Sequence, residues 1–168
     1  GGIGDPQVRN CGTLGGSIAN NDPAADYPAA LLALDASIIT DRREIPAEQF
    51  FVDMFETSLS ADEIIMSVKF PKPEKSAYSK FPNPASRYAI VGVFVTQTKN
   101  EVKVAVTGAG PCVFRAREIE DALKGSLSNS TELPEISAEG LNSDMHASAE
   151  YRAHLVRVMA VRAIESAC

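Results

Sequence analysis

Residues 9–28 read RNCGTLGGSIANNDPAADYP, and several of them could hold an anion. Gly15 and Gly16 follow Thr13 and Leu14 and precede Ser17. Glycines let backbone N–H groups approach a ligand without side-chain obstruction. Successive N–H groups in such a turn make an anion-binding concavity, and the hydroxyls of Thr13 and Ser17 add donors. The plainer reading is a tight turn, because two adjacent glycines alone are a weak signal. Asp26 also has two roles open to it. Its carboxylate could cap the helix that follows, or accept hydrogen bonds from sugar or ribityl hydroxyls. Asp22, ahead of Pro23, reads as the start of a turn.

Lys80 and Tyr88 lie in YSKFPNPASRYAIVGV, which reads as a proline-rich loop feeding a strand. The lysine is either solvated or beside a charged ligand. The tyrosine is either strand packing or a face for a flat ring. His146 and His154 have no carboxylate or cysteine at metal-ligand spacing and read as surface or interface histidines. Cys11, Cys112 and Cys168 are far apart and form no CxxC pair, so neither a zinc nor an iron–sulfur site of this chain is expected. Reduced thiols in a cytoplasmic protein are the matching expectation. No G-x-S-x-G elbow, P-loop, HExxH or GxGxxG is present, so the chain carries no self-contained catalytic set.

The elements that must position these residues follow from composition and period. Residues 1–27 are rich in Gly, Asn, Asp and Pro and read as ordered loop. Asp26 and Pro28 can start a helix through AALLALDA. SIIT is a strand, DRRE turns it back, and IPAEQFFVDMF is a loop with one helical turn. DEIIMSVKFP is a strand ended by Pro71. PKPEKS, residues 71–76, is the linker, with domains over 1–72 and 77–168. Two β-branched runs around QTKNE then predict a hairpin. RAREIEDALKG predicts a helix closed near Gly125, and a weaker helix is expected near 134–140. The last helix is capped by Ser148 and has a stripe through Tyr151, Leu155, Val158 and Arg162. Strands followed by helices make an α+β unit.

The bulk properties exclude some partners. The chain has 168 residues, 45% hydrophobic, with a formal net charge of −6. A packed core is expected. Nucleic acid and anionic membrane surfaces are not, since both need clustered Lys and Arg. No apolar run is long enough to span a membrane. The opening GGIGDPQVRN lacks methionine and reads as the continuation of an upstream segment.

The ordered series of segments is similar to one family. VRNCGTLGGSIANNDPAADYPAALLALDA resembles the second flavin motif of the FAD-binding medium subunit of molybdenum hydroxylases, the carbon monoxide dehydrogenase and xanthine dehydrogenase family. IPAEQFF, SADEIIMSVKFP, YSKF…RYAIVGVFV, GAGPCVFRAREIEDALKG and SAEYRAHLVRVMAVRAI follow in the family's order. The resemblance implies the end of a PCMH-type FAD-binding domain, then a small domain with a three-stranded antiparallel sheet packed on helices. It implies FAD as cofactor, with the family's first glycine-rich motif lying upstream of this chain. Thr13, Leu14, Gly15, Gly16 and Ser17 match the flavin motif. Asn20 falls at a cofactor-lining position, Asp26 at the flavin-contacting aspartate, and Ile65 at an aliphatic position beside the cofactor. Lys80 matches a flavin-contacting lysine, which would favour the anionic reduced flavin. Tyr88 falls, across a small gap, where relatives place a residue against the isoalloxazine ring. The implied role is electron transfer: a large subunit carries molybdopterin, a small subunit carries two 2Fe–2S clusters, and the flavin passes electrons to an acceptor. Two other readings are an assembly module docking those subunits through residues 77–168, and a free-standing flavin oxidoreductase of the same superfamily.

Overall fold

The computed structural model describes residues 1–99 and 101–168. The first residues are not loop but two short helices, α1 (Pro6–Cys11) and α2 (Leu14–Asn20). Asp5 caps α1 by accepting from Val8 N at 2.9 Å, and Pro6 occupies its first turn. Thr13 caps α2 by accepting from Gly16 N at 3.0 Å, and Asn21 ends it with φ 45. Gly15 and Gly16 therefore sit in the first turn of a helix. Glycine disfavours a helix by about 1 kcal/mol per residue; the fully buried Ile18 offsets this through packing. A third helix, α3 (Tyr27–Ala33), follows where AALLALDA predicted it.

The first unit continues with β1 (Ser37–Thr40), β2 (Glu44–Pro46), α4 (Ala47–Phe50), β3 (Phe51–Asp53), β4 (Glu56–Thr57) and β5 (Ile65–Lys69). β1 pairs antiparallel with both β2 and β5, and β3 pairs with β4 as a separate hairpin. Ile18, Leu31, Ile38, Ile45 and Phe50 form the core of this unit.

The second unit contains β6 (Lys75–Pro82), β7 (Ala89–Gln97), β8 (Val102–Thr107), β9 (Phe114–Arg115), α5 (Arg117–Leu123) and α6 (Ala149–Ala167). The three long strands form the expected antiparallel sheet, and two-residue β9 adds a fourth at the edge. β6 corrects the loop reading of YSKFP. Pro82 lies at the strand's last position, beside a register irregularity, where it breaks no ladder. No helix forms at 134–140; Ser137 Oγ accepts from Glu139 N instead, a local bond that competes with helix. On α6 the buried face runs through Arg152, Leu155, Val156, Met159, Ala163 and Ile164. The expected stripe is rotated, leaving Tyr151 44% exposed, because small alanines take part in the contact face.

The sheet is covered on both faces, which explains why β8 is buried at every position. Side chains alternate along a strand. Val91, Val93, Val95, Val104 and Val106 pack with Ile119 of α5 and Val156 and Met159 of α6. The opposite face meets the first unit. Ala105 joins Ala29, Leu32 and Ala33 of α3 in one cluster. Thr96 Oγ1 donates to Ala33 O at 2.9 Å, and Thr107 Oγ1 to Ala25 O at 2.6 Å. Gly108, with φ +82, donates its N–H to Pro23 O at 2.7 Å.

Candidate functional site

A cavity of about 590 Å³ opens beside α1 and α2. Thr13, Gly16, Ser17, Asn20, Asp26 and Tyr88 line it, together with Arg9 and Cys11. Six of the ten residues singled out from sequence thus meet at one place. The volume lies within the usual range of cofactor sites.

Each wall has a local cause. The first N–H groups of a helix have no intrahelical acceptor, but at the cavity Gly16 N is taken by the Thr13 side chain and Ser17 N donates to Thr13 O at 3.0 Å, so the donors left facing it are the Thr13 and Ser17 hydroxyls. The Thr13 hydroxyl accepts from Gly16 N and keeps its own proton for a ligand. On Gly16 a Cβ would stand 2.9 Å from Thr13 Oγ1, so glycine keeps cap and cavity wall compatible. Arg9 is held by its own loop, donating from Nη1 to Ile3 O at 2.8 Å and Gly4 O at 2.9 Å. Sequence reasoning did not single out Arg9; its neighbour at the site, Cys11, is exposed.

Asp26 is buried at the cavity's edge and makes no helix-capping hydrogen bond, although it holds the N-cap position. The capping role expected from sequence is not taken up. One carboxylate oxygen accepts from the Tyr78 hydroxyl, and the other from Lys80 Nζ at 2.9 Å. Lys80 also donates to Gly2 O at 2.6 Å and Arg87 O at 3.0 Å, which engages all three ammonium protons. Lys80 is therefore neither solvated nor a wall of the cavity; it is the buried counter-ion of Asp26, with its side chain 11% exposed. Tyr88, half-buried, lies between this cavity and a second of about 290 Å³ lined by Asn83, Asp144 and His146.

The other candidates are elsewhere. Leu14 and Ile65 pack against the core of the first unit. Gly15 does not line the cavity, and a Cβ there would meet nothing within 4 Å. Among the described residues no group of His, Cys, Asp and Glu could hold a metal ion.

Sequence reasoning missed Tyr78. Reading YSKF as loop hid the alternation that puts Tyr78 and Lys80 on one strand face, toward Asp26. Burial, and then the Asp26 charge, push the Tyr78 phenol above its ordinary range, so it keeps its proton and donates.

The donor set suits a dinucleotide-like cofactor: two hydroxyls and a guanidinium for phosphates, and a carboxylate for hydroxyl groups. Comparison with known proteins agrees. Residues 1–73 match the family described as FAD binding domain in molybdopterin dehydrogenase, and residues 76–167 match the CO dehydrogenase flavoprotein C-terminal domain. The chain is 37% identical over 180 residues to the nicotine 6-hydroxylase medium subunit of Paenarthrobacter nicotinovorans, covering 98% of this chain and 64% of that protein. It is 34% identical to the 6-hydroxypseudooxynicotine dehydrogenase complex subunit alpha of the same organism, covering 98% and 62%. Among solved structures, reconstituted CO dehydrogenase from Oligotropha carboxidovorans superposes with a TM-score of 0.83 at 26% identity, over 98% of this chain and 64% of that one. The chain thus spans less than two thirds of the length of these relatives.

Proposed function

The chain belongs to the family of FAD-binding medium subunits of molybdopterin dehydrogenases, and from that premise we propose that it is part of an electron-transfer subunit that holds FAD in the cavity beside α2. The observation that carries this reading is the convergence of Thr13, Gly16, Ser17, Asn20 and Asp26 on one cavity. The Thr13 and Ser17 hydroxyls and Arg9 would hold the phosphates. Asp26 would accept from ribityl hydroxyls, and Tyr88 would stand against the ring. When bound, the flavin would supply redox chemistry between iron–sulfur clusters of a partner subunit and an external acceptor. The protein's own part is binding, orientation and electrostatics: Asp26 and Lys80 place a fixed ion pair at the cavity's edge without a mobile charge.

The partners proposed are an iron–sulfur small subunit and a molybdopterin large subunit, with the substrate chosen on the latter. Co-purification of the full-length subunit, followed by flavin and metal analysis, tests this. FAD, molybdenum and iron in fixed ratio with three polypeptides support it. A purified protein with flavin and no partners favours a free-standing flavoenzyme, and one with partners but no flavin favours the docking module.

A further inference from the structure

The Asp26 carboxylate at the cavity wall is aimed by residues that do not themselves line the cavity. Asp26 holds the N-cap position of α3, where a carboxylate ordinarily turns back onto the first N–H groups. Here its backbone is already helical, with φ −77 and ψ −37, and its side chain makes no capping bond. Both side-chain partners come from one face of β6: Tyr78 and Lys80. The Tyr78 ring stacks on Phe94 of β7, with centroids 6.0 Å apart and an interplanar angle of 30°. Gly92, paired with Lys80 across the ladder, makes the space for the phenol. A Cβ on Gly92 would collide with the Tyr78 hydroxyl and lie 2.9 Å from Thr107 Cγ2. Tyr78 itself does not line the cavity.

We propose that Tyr78 is a positioning residue for cofactor binding: seated in the notch left by Gly92, its hydroxyl draws the Asp26 carboxylate off the α3 N-terminus and fixes it at the cavity wall. A carboxylate offers about four acceptor sites. Tyr78 and Lys80 occupy two, and the others remain for hydroxyl groups of a ligand. The proton on Tyr78 stays in place at neutral pH, so the carboxylate always has a donor on that side. The inference rests on the FAD reading of the same cavity.

The test is FAD affinity, read from quenching of flavin fluorescence, for the full-length subunit and for Tyr78→Phe, Asp26→Ala and the double variant. Circular dichroism of each FAD-free protein checks folding. Loss of one charge-assisted hydrogen bond should raise the Kd of Tyr78→Phe about tenfold. Because Tyr78 acts through Asp26, Tyr78→Phe should add nothing in the Asp26→Ala background. Gly92→Ala, which displaces the phenol, should weaken binding as Tyr78→Phe does; if it does not fold, Tyr78→Phe and the double variant decide. Unchanged affinity in Tyr78→Phe, or a further tenfold loss in the double variant, overturns the positioning role while leaving the FAD reading intact. Failure of the unmodified protein to bind FAD overturns both.

Discussion

Single side chains away from the cavity set how the first unit responds to acid. Glu63, with its side chain 1% exposed, accepts from Arg43 Nε and Nη2, both at 2.9 Å, from Thr40 Oγ1 at 2.7 Å and from Ser60 N at 3.0 Å. The Arg43 bonds, then the Ser60 N–H and the Thr40 hydroxyl, hold its carboxyl well below the usual carboxylate range. A depressed folded value stabilises above the unfolded one, near pKa ~4.3, and this stabilisation is lost as pH falls toward the folded value. Glu63→Gln should therefore melt below the unmodified protein at neutral pH. The gap should close progressively below about pH 4, as protonation removes the same charge from the unmodified chain. Melting curves across that window check it; a gap independent of pH contradicts it.

At the scale of elements, the decisive join is between α6 and the ends of β7 and β8. Arg152 is buried on α6 and donates to Ile90 O at 2.6 Å, Gly108 O at 2.9 Å and Asp144 Oδ2 at 2.7 Å. Arg152→Met keeps the volume but strands two buried carbonyls, and should cost roughly 3 kcal/mol in chemical denaturation. A loss within measurement error would mean that those carbonyls find other donors. Much of this architecture was legible: the antiparallel pairing of β7 with β8, Ser148 as cap, and the strand ending before Pro71 all follow from local chemistry. What was not legible depended on tertiary contacts. α2 forms across two glycines because Ile18 is buried against Leu31 and Phe50. The buried face of α6 includes Arg152, which no apolar period would select. Thr13, Ser17 and Asp26, which line the cavity, could be picked out from residue type, whereas Tyr78 could be found only once β6 was known to be a strand.

In the whole molecule the sheet of the second unit serves as a floor for the first. Ala29, Leu32 and Ala33 of α3 pack on Ala105 and Val113, and Lys80 and Tyr78 reach across to Asp26. The wall of the cavity at Asp26 therefore depends on residues of both units, and the linker expected over 71–76 is shorter, because β6 already begins at Lys75. Leu32, 6% exposed at this join, tests the coupling. Leu32→Ala should cost about 3 kcal/mol and lower the melting midpoint by roughly 10 °C, in a single transition. Two resolved transitions, with only one of them shifted, would show that the units fold independently.

FAD binding in the cavity beside α2 is open to a direct test. Titration of the full-length subunit with FAD, alongside a Ser17→Phe variant that fills the cavity from the half-buried position 17 of α2, addresses this directly. The unmodified protein should bind FAD saturably and Ser17→Phe should not, with the FAD-free melting temperature unchanged. Equal FAD affinity in the two proteins would place the cofactor outside this cavity.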